Sequence, residues 1–313
     1  MDIVNREAER KAREYLEKIT SELEEHLTFF IEKNFSKELA SIVRYAASEE
    51  GKFRGALLIL IGEILNGERR ELIDLACAIE IIHTASLVYD DIINGSKKRR
   101  GKDAVWVKYG LDIASILPHT MVSTSVLTIA RKGDWLAKLA VDAWRKASLG
   151  KLLDILYNRE NIEREITYDE IIGLKTGSLF EAACFIGAGA TVGIEAARIA
   201  GVYGYNIGCA YQVIDDIIGL LLGKERSGSA KALEVKGDIW KIGLKLTATY
   251  IEQAIIAVDS LQQFTSKDLG LLKEVPTTIV KNIAKEAGGD IEKVINAILE
   301  SGVLEGKIDL DSL

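Results

Sequence analysis

The chain has 313 residues, enough for one or two domains around a large buried core. Its formal net charge of −7 argues against a general nucleic-acid binder, which needs basic stripes to displace phosphate counterions. Three cysteines, Cys77, Cys184 and Cys209, each lie in an apolar stretch; they exclude a disulfide framework, lack the spacing of a zinc site and point to a reducing, cytoplasmic interior.

Only two prolines occur in 313 residues, against an ordinary usage of about 5%, so almost every segment can be helical without a break. The first 25 residues alternate acids and bases and have no apolar core, unlike a secretory signal. Ile3, Ala8, Ala12, Tyr15, Leu16, Ile19, Leu23 and Leu27 recur at steps of mostly three and four, which predicts a helix. Similar stripes predict helices within 54–66, 70–93, 112–130, 134–157, 168–186, 191–222 and 242–264. Asn66-Gly67, Asn94-Gly95-Ser96, Lys132-Gly133-Asp134 and the glycine-bounded stretches 187–193 and 223–237 punctuate them. The longest uncharged run, Ile113 to Ala130, contains Pro118, His119 and six Ser or Thr residues; it reads as a buried core helix, not a membrane span. Strict two-residue alternation never persists. These patterns predict an all-α chain forming one domain over 1–313. Residues 276–313 form a short helical appendix with helices near 277–286 and 290–300. Several helices are apolar around more than half their circumference, so they must be surrounded by others in a multilayered bundle.

Two places interrupt the apolar pattern in the same way. Ser86-Leu-Val-Tyr89-Asp90-Asp91-Ile-Ile-Asn94 and Tyr211-Gln212-Val-Ile-Asp215-Asp216-Ile-Ile-Gly219 each set a double aspartate in a greasy helix. Buried without partners, each carboxylate would cost several kcal/mol. Lining a wet cavity, they suit Mg²⁺, which prefers carboxylate oxygens and completes its octahedron with water and phosphate. Asp90 and Asn94 lie one turn apart on a helix face. The basic run Lys97-Lys98-Arg99-Arg100-Gly101-Lys102 directly follows the first pair, and suits a diphosphate held between Mg²⁺ and guanidinium forks. Lys52 and Arg54 stand at another helix start, Lys175-Thr176-Gly177 interrupts a further apolar helix, and His83 lies two turns before Asp90 on the same face.

Taken together, these segments resemble the trans-isoprenyl diphosphate synthases. Asp90 to Gly101 is similar to the first aspartate-rich motif, DDxxDxxxxRRG, and Tyr211 to Asp216 to the second, FQxxDDxxD. Lys175-Thr176 matches the KT pair, Gly51 to Arg54 the GKxxRP element, and Ile82-His83-Thr84 the lead-in IHxxSLxHDD. The resemblance spans about residues 45–250 and implies an all-α isoprenoid-synthase fold around a central cavity. It also implies a Mg²⁺-dependent head-to-tail prenyl transfer from an allylic diphosphate to isopentenyl diphosphate. By the same resemblance, Asp90, Asp91, Asn94, Asp215 and Asp216 are metal ligands, and Arg99, Lys175, Thr176 and Gln212 serve the allylic diphosphate and catalysis. Lys52, Arg54, His83 and Arg100 hold isopentenyl diphosphate. Ala85 and Ser86, before the first aspartates, form the floor of the chain-length pocket. Both are small, which implies geranylgeranyl or longer products unless Met121 or Phe180 intrudes. Family members are usually dimers.

Several positions depart from the family pattern. Asn94 stands for the third aspartate of the first motif, Gly219 for the last of the second, Tyr89 for a histidine and Lys151 for a glutamine. The GKxxRP element is one residue short and ends Arg54-Gly55. Downstream lysines align only loosely, leaving Lys224, Lys231, Lys236 and Lys241 as candidates. Three readings follow: an active synthase forming a homodimer, a weak or regulatory subunit of a heteromeric synthase, or a cyclase-like enzyme that ionises one diphosphate. The second anion cluster, Lys52, Arg54, His83 and Arg100, speaks against the last.

Overall fold

A computed structural model describes residues 2–48, 51–160, 166–222, 227–235, 239–287 and 289. The helices run α1 (Asp2–Asn34), α2 (Lys37–Ala47), α3 (Phe53–Ile64) and α4 (Arg69–Ile93), then a two-stranded hairpin, β1 (Lys98–Arg99) and β2 (Lys102–Asp103). α5 (Val105–Tyr109), α6 (Leu111–Ala130), α7 (Asp134–Asn158) and α8 (Tyr168–Ile172) follow. A π-helical turn (Gly173–Gly177) leads into α9 (Ser178–Gly189). α10 (Ile194–Leu221), α11 (Gly228–Val235), α12 (Ile239–Leu261) and α13 (Gly270–Ala287) complete the described chain. The fold is all-α, and the predicted helices through residue 264 are present. α2, the hairpin, α5 and α11 lie in segments where periodicity had predicted no helix, and the π turn interrupts the helix predicted over 168–186.

The chain groups into two compact units. One comprises Tyr15–Asp142 and Ile186–Ala197. Within it α4 packs against α3 and α6, with α2 and α5 alongside. α3 is buried on every side except at Glu63, which accounts for its unbroken apolar sequence. Each fully buried Leu or Ile there stabilises by about 1.5–3 kcal/mol.

The other unit comprises Met1–Glu14, Ala143–Phe185 and Arg198–Leu313. α13 starts six residues before Pro276 and buries Leu272, Val275, Ile279, Val280 and Ile283, so 270–287 contribute to this unit's core. Pro276 has no N–H for the Leu272 carbonyl, a defect that costs about 3 kcal/mol in an open helix. The buried Tyr203 hydroxyl donates to that carbonyl at 2.8 Å and makes good the loss. The second helix expected near 290–300 lies outside the described residues.

By length and composition, three stretches could cross a membrane: Arg69–Ile93, Leu111–Ala130 and Tyr168–Gly189. The first and third are mostly buried within protein, but α6 is the most open of the three and exposes Leu111, Ile113, Ile116 and Leu127.

Gly150 in α7 lies directly against the backbone of the π turn. A methyl group there would collide with the Lys175 amide nitrogen and come within 2.7 Å of the Leu174 carbonyl carbon. Alanine is favoured over glycine by about 1 kcal/mol in a helix interior. Overpacking against rigid backbone costs about 1–3 kcal/mol and dominates. Gly150→Ala is therefore expected to lower the urea midpoint despite its better helix propensity; an unchanged or raised midpoint would show that the two segments are not so closely apposed.

Candidate active site

In the last three turns of α4, Thr84, Ala85, Val88 and Asp91 are buried, while His83, Ser86, Leu87 and Asp90 are half-exposed. These four recur at i, i+3, i+4 and i+7 and form one open face. Ser86 lies about 40° around the helix from Asp90, but Ala85 lies about 140° away, because each residue advances about 100°. Ala85 is thus in the packed core and off the face where the chain-length floor was expected; Ser86 alone of the two is on it. Tyr89 is turned to α6, where its hydroxyl meets His119 Nε2 at 3.0 Å.

The two aspartates of the first pair have different surroundings. Asp90 is partly open. Asp91 is only 4% exposed, and Arg99 forks onto it with Nε at 3.0 Å from Oδ2 and Nη2 at 2.9 Å from Oδ1. The hairpin makes this possible. Arg100 and Gly101 form its two-residue tip, with φ of 45° and 83°, the left-handed pair that a tight hairpin requires. Tyr45 Oη donating to Asp103 O at 2.7 Å and Lys102 Nζ donating to Ser48 Oγ at 3.0 Å pin the hairpin to α2. Arg99 then turns to Asp91, while Arg100 lies near Gly51. Asn94 is exposed at the C-cap of α4 and donates its N–H to the Asp90 carbonyl.

Lys52 and Arg54 start α3 and are almost wholly buried. Loss of solvent around the ring, whose Nδ1 side is enclosed although the residue keeps some exposure, and then the charges of Arg54, Arg99, Lys52 and Arg100 push His83 well below its ordinary value, which favours a neutral imidazole amid cations. Its Nδ1 is buried without a hydrogen-bond partner among the described residues. The four residues expected to hold isopentenyl diphosphate are therefore electrostatic neighbours.

In the other unit the second pair repeats the asymmetry. Asp215 is exposed, while Asp216 is 4% exposed and takes hydrogen bonds from Tyr168 Oη (3.1 Å), Gln212 Nε2 (3.0 Å) and Ser229 Oγ (3.1 Å). Burial pushes its carboxyl up to about 7; Asp215 and Asp154 add to this, and Lys175 and Gln212 oppose it. An ion at Asp216 would have to displace those donors. Thr176 Oγ1 donates to Gln212 Oε1 at 2.5 Å, the Ser229 amide donates to Asp154 Oδ1 at 2.7 Å, and Lys175 Nζ reaches Asp154 Oδ2 at 3.3 Å. The result is a closed ring: Lys175 and Thr176 on the π turn, Gln212 and Asp216 on α10, Ser229 on α11 and Asp154 on α7. Lys151 adds a second cation, 3.8 Å from Asp154 Oδ2.

Among the described residues no three acidic, imidazole or thiol side chains converge to hold a metal. Mg²⁺ is usually held by one or two carboxylates with water and substrate phosphates, so the partly exposed Asp90 and the exposed Asp215 each fit an ion that arrives with a diphosphate.

Residues 36–232 match the polyprenyl synthetase family. A hexaprenyl pyrophosphate synthase of Saccharolobus solfataricus is 30% identical over 83% of this chain and 92% of its own length. A geranylgeranyl diphosphate synthase of Sulfolobus acidocaldarius is 28% identical over 68% of each chain. This chain belongs to the polyprenyl synthetase family. It is a trans-prenyltransferase by that membership. The fold agrees: a polyprenyl synthase from Caulobacter crescentus, solved with calcium and isoprenyl diphosphate, superposes with a TM-score of 0.70 over 85% of this chain and 97% of its own, at 21% identity.

Against the motifs of this family, sequence reasoning missed Asp154, Tyr168, Ser229 and Glu80. Asp154 was visible as an acid in an apolar helix one turn from the noted Lys151, yet only the fold brings Ser229 to it. Of the four downstream lysines, Lys231 donates to the Asn158 carbonyl and Lys241 is exposed. Lys224 and Lys236 lie outside the described residues.

If Arg99 serves chiefly as the counterion of Asp91, Arg99→Ala should destabilise the substrate-free chain. A fully buried pair broken this way costs about 3–5 kcal/mol, and partial solvation of Arg99 reduces this to about 1–3 kcal/mol. Adding Asp91→Asn should recover at least half of the loss in urea denaturation. A single variant as stable as the parent would assign Arg99 to ligand alone.

Proposed function

We propose that this synthase joins isopentenyl diphosphate to an allylic diphosphate, head to tail and with Mg²⁺, to give geranylgeranyl or longer products. The observation that carries this reading is that in both pairs the first aspartate has solvent exposure, while the second is almost wholly buried in hydrogen bonds to the protein. Asp90, with Asn94 as a neutral oxygen donor, would hold Mg²⁺ at the first pair and Asp215 would hold Mg²⁺ at the second; Asp91 and Asp216 would orient their neighbours. Bound Mg²⁺ would supply Lewis-acid neutralisation of the charge that grows on the departing diphosphate. Lys175, held by Asp154, and the Gln212 amide, oriented by Thr176, stand by the second pair for the allylic diphosphate, with Arg99 by the first. Lys52, Arg54, His83 and Arg100 would fix isopentenyl diphosphate, and a neutral His83 can donate one N–H without adding charge. The allylic carbon–oxygen bond breaks with its electron pair going to the departing diphosphate, the alkene attacks that carbon, and the resulting cation loses a proton to the released diphosphate; no protein nucleophile is required. The retained Asp90 and Asp215 favour an active enzyme over a weak or regulatory subunit.

Labelled isopentenyl diphosphate is supplied with dimethylallyl, geranyl and farnesyl diphosphates in turn, with and without Mg²⁺. Elongation only with Mg²⁺ is expected, with kcat/KM falling about a hundredfold or more in Asp90→Ala and in Asp215→Ala. No elongation from the folded chain with any primer would overturn the reading. Ser86→Phe, on the open face of α4, should shorten the product; Ala85→Phe should chiefly destabilise the core.

The homodimer belongs to the same proposal. Ile113, Ile116, Thr120, Ser123 and Leu127 lie along one outward, uncharged stripe of α6. Such a stripe suits an isologous contact with a second copy. Light scattering on the unaltered chain is expected to give a dimer, and Leu127→Glu a monomer; a monomeric parent would remove this part of the reading.

A further inference from the structure

Glu80 lies in the interior of α4, three residues before His83, and is only 2% exposed. It belongs to none of the motifs above. Its neighbours are the two buried cations at the start of α3, Lys52 at 4% and Arg54 at 5% exposure. α3 has no side-chain cap of its own; Lys52 occupies the N-cap position. The first helical amides are therefore left to be satisfied from elsewhere. The Gly55 amide donates to Glu80 Oε1 at 2.6 Å, and the Arg54 amide also bonds this carboxylate. A carboxylate from α4 thus caps α3 in trans, where helix amides and the helix dipole both favour negative charge.

The fit is close on every side. A methyl group at Gly55 would come within 2.5 Å of Leu23 Cδ2 and 3.1 Å of Glu80 Cγ, so a side chain there would press on Leu23 and crowd the Glu80 side chain. Where the family element ends in proline, which has no N–H, this chain has a glycine that supplies one. Lys52 Nζ donates to the Ala47 carbonyl at 2.9 Å, fixing its head group from the other side. Burial raises the Glu80 carboxyl, while Lys52, Arg54 and the two amides oppose that rise, as expected of a counterion placed among cations.

We propose that Glu80 is a positioning residue that, through the Gly55 amide and the charges of Lys52 and Arg54, sets the first turn of α3 so that these two cations meet the diphosphate of isopentenyl diphosphate. This deepens the function proposed above and rests on it for the identity of the anion. Glu80 itself touches no substrate. Its removal should weaken one substrate and leave the other alone, a split that general destabilisation would not produce.

The unaltered chain is assayed first, because absence of turnover there counts against the function and not against Glu80. With turnover, Glu80→Gln is expected to raise KM for isopentenyl diphosphate about tenfold, with KM for the allylic diphosphate and kcat within twofold. Without turnover, calorimetric titration with isopentenyl diphosphate is expected to give the same tenfold change in Kd. Unchanged affinity in the variant, or both KM values rising together, would overturn the proposal. Should Glu80→Gln not fold, or should the parent bind nothing, hydrogen exchange on the unaltered chain decides. The Gly55 amide is expected to be protected to the same degree as core amides before any ligand is added. Exchange at the rate of an open loop would refute preorganisation by Glu80.

Discussion

A carboxylate set inside an apolar helix has to be satisfied from within the protein, and the arrangement around both aspartate pairs follows from that need. Asp91 and Asp216 are almost wholly out of water, and each would cost several kcal/mol if left alone. The two solutions differ. Asp91 takes a guanidinium, delivered by a hairpin whose tip residues both adopt left-handed backbone. Asp216 takes neutral donors from Tyr168, Gln212 and Ser229 and, in a site without a full counter-charge, has its carboxyl pushed up to about 7. In both cases the preceding aspartate keeps more contact with solvent than its neighbour.

The same economy extends to the cations. Lys52 and Arg54 are buried beside Glu80, and the half-buried Lys175 and Lys151 pair with Asp154. Each of these cationic clusters has a buried acid beside it, Glu80 on α4 and Asp154 on α7. Such pairs add little net stability, since desolvation consumes most of the Coulombic gain. Their consequence is geometric: long, flexible lysine and arginine stems are held in one arrangement before any anion arrives, which lowers the entropy lost on binding.

Much of this was legible in the letters because it is local. Apolar spacing of three and four marked the helices, scarcity of proline marked the class, and double aspartates followed by isoleucines stood out against their surroundings. The helix over 270–287 was misread at its start because Pro276 looks like a boundary; only the Tyr203 hydroxyl, 69 positions away in sequence, shows why the helix runs through it. Ala85 was assigned to the face of Asp90 on proximity in sequence, while the helix rotation carries it to the opposite side. The π turn that bears Lys175 and Thr176 has no local signature beyond its glycines. It is held by close approaches from Gly150 and Tyr205.

The sequence by itself determined the all-α class, the family and the residues that carry charge into an apolar interior, because each depends on residue type and short-range spacing. Which aspartate of each pair turns inward, which acid lies under which cation, and which face of α4 is open were decided only by tertiary structure. Those choices depend on partners brought from distant segments, Arg99 on its hairpin, Ser229 on α11 and Gly55 on α3. A buried polar group is satisfied by whichever donor the packing of helices places within about 3 Å, and that distance is not written in the order of the residues.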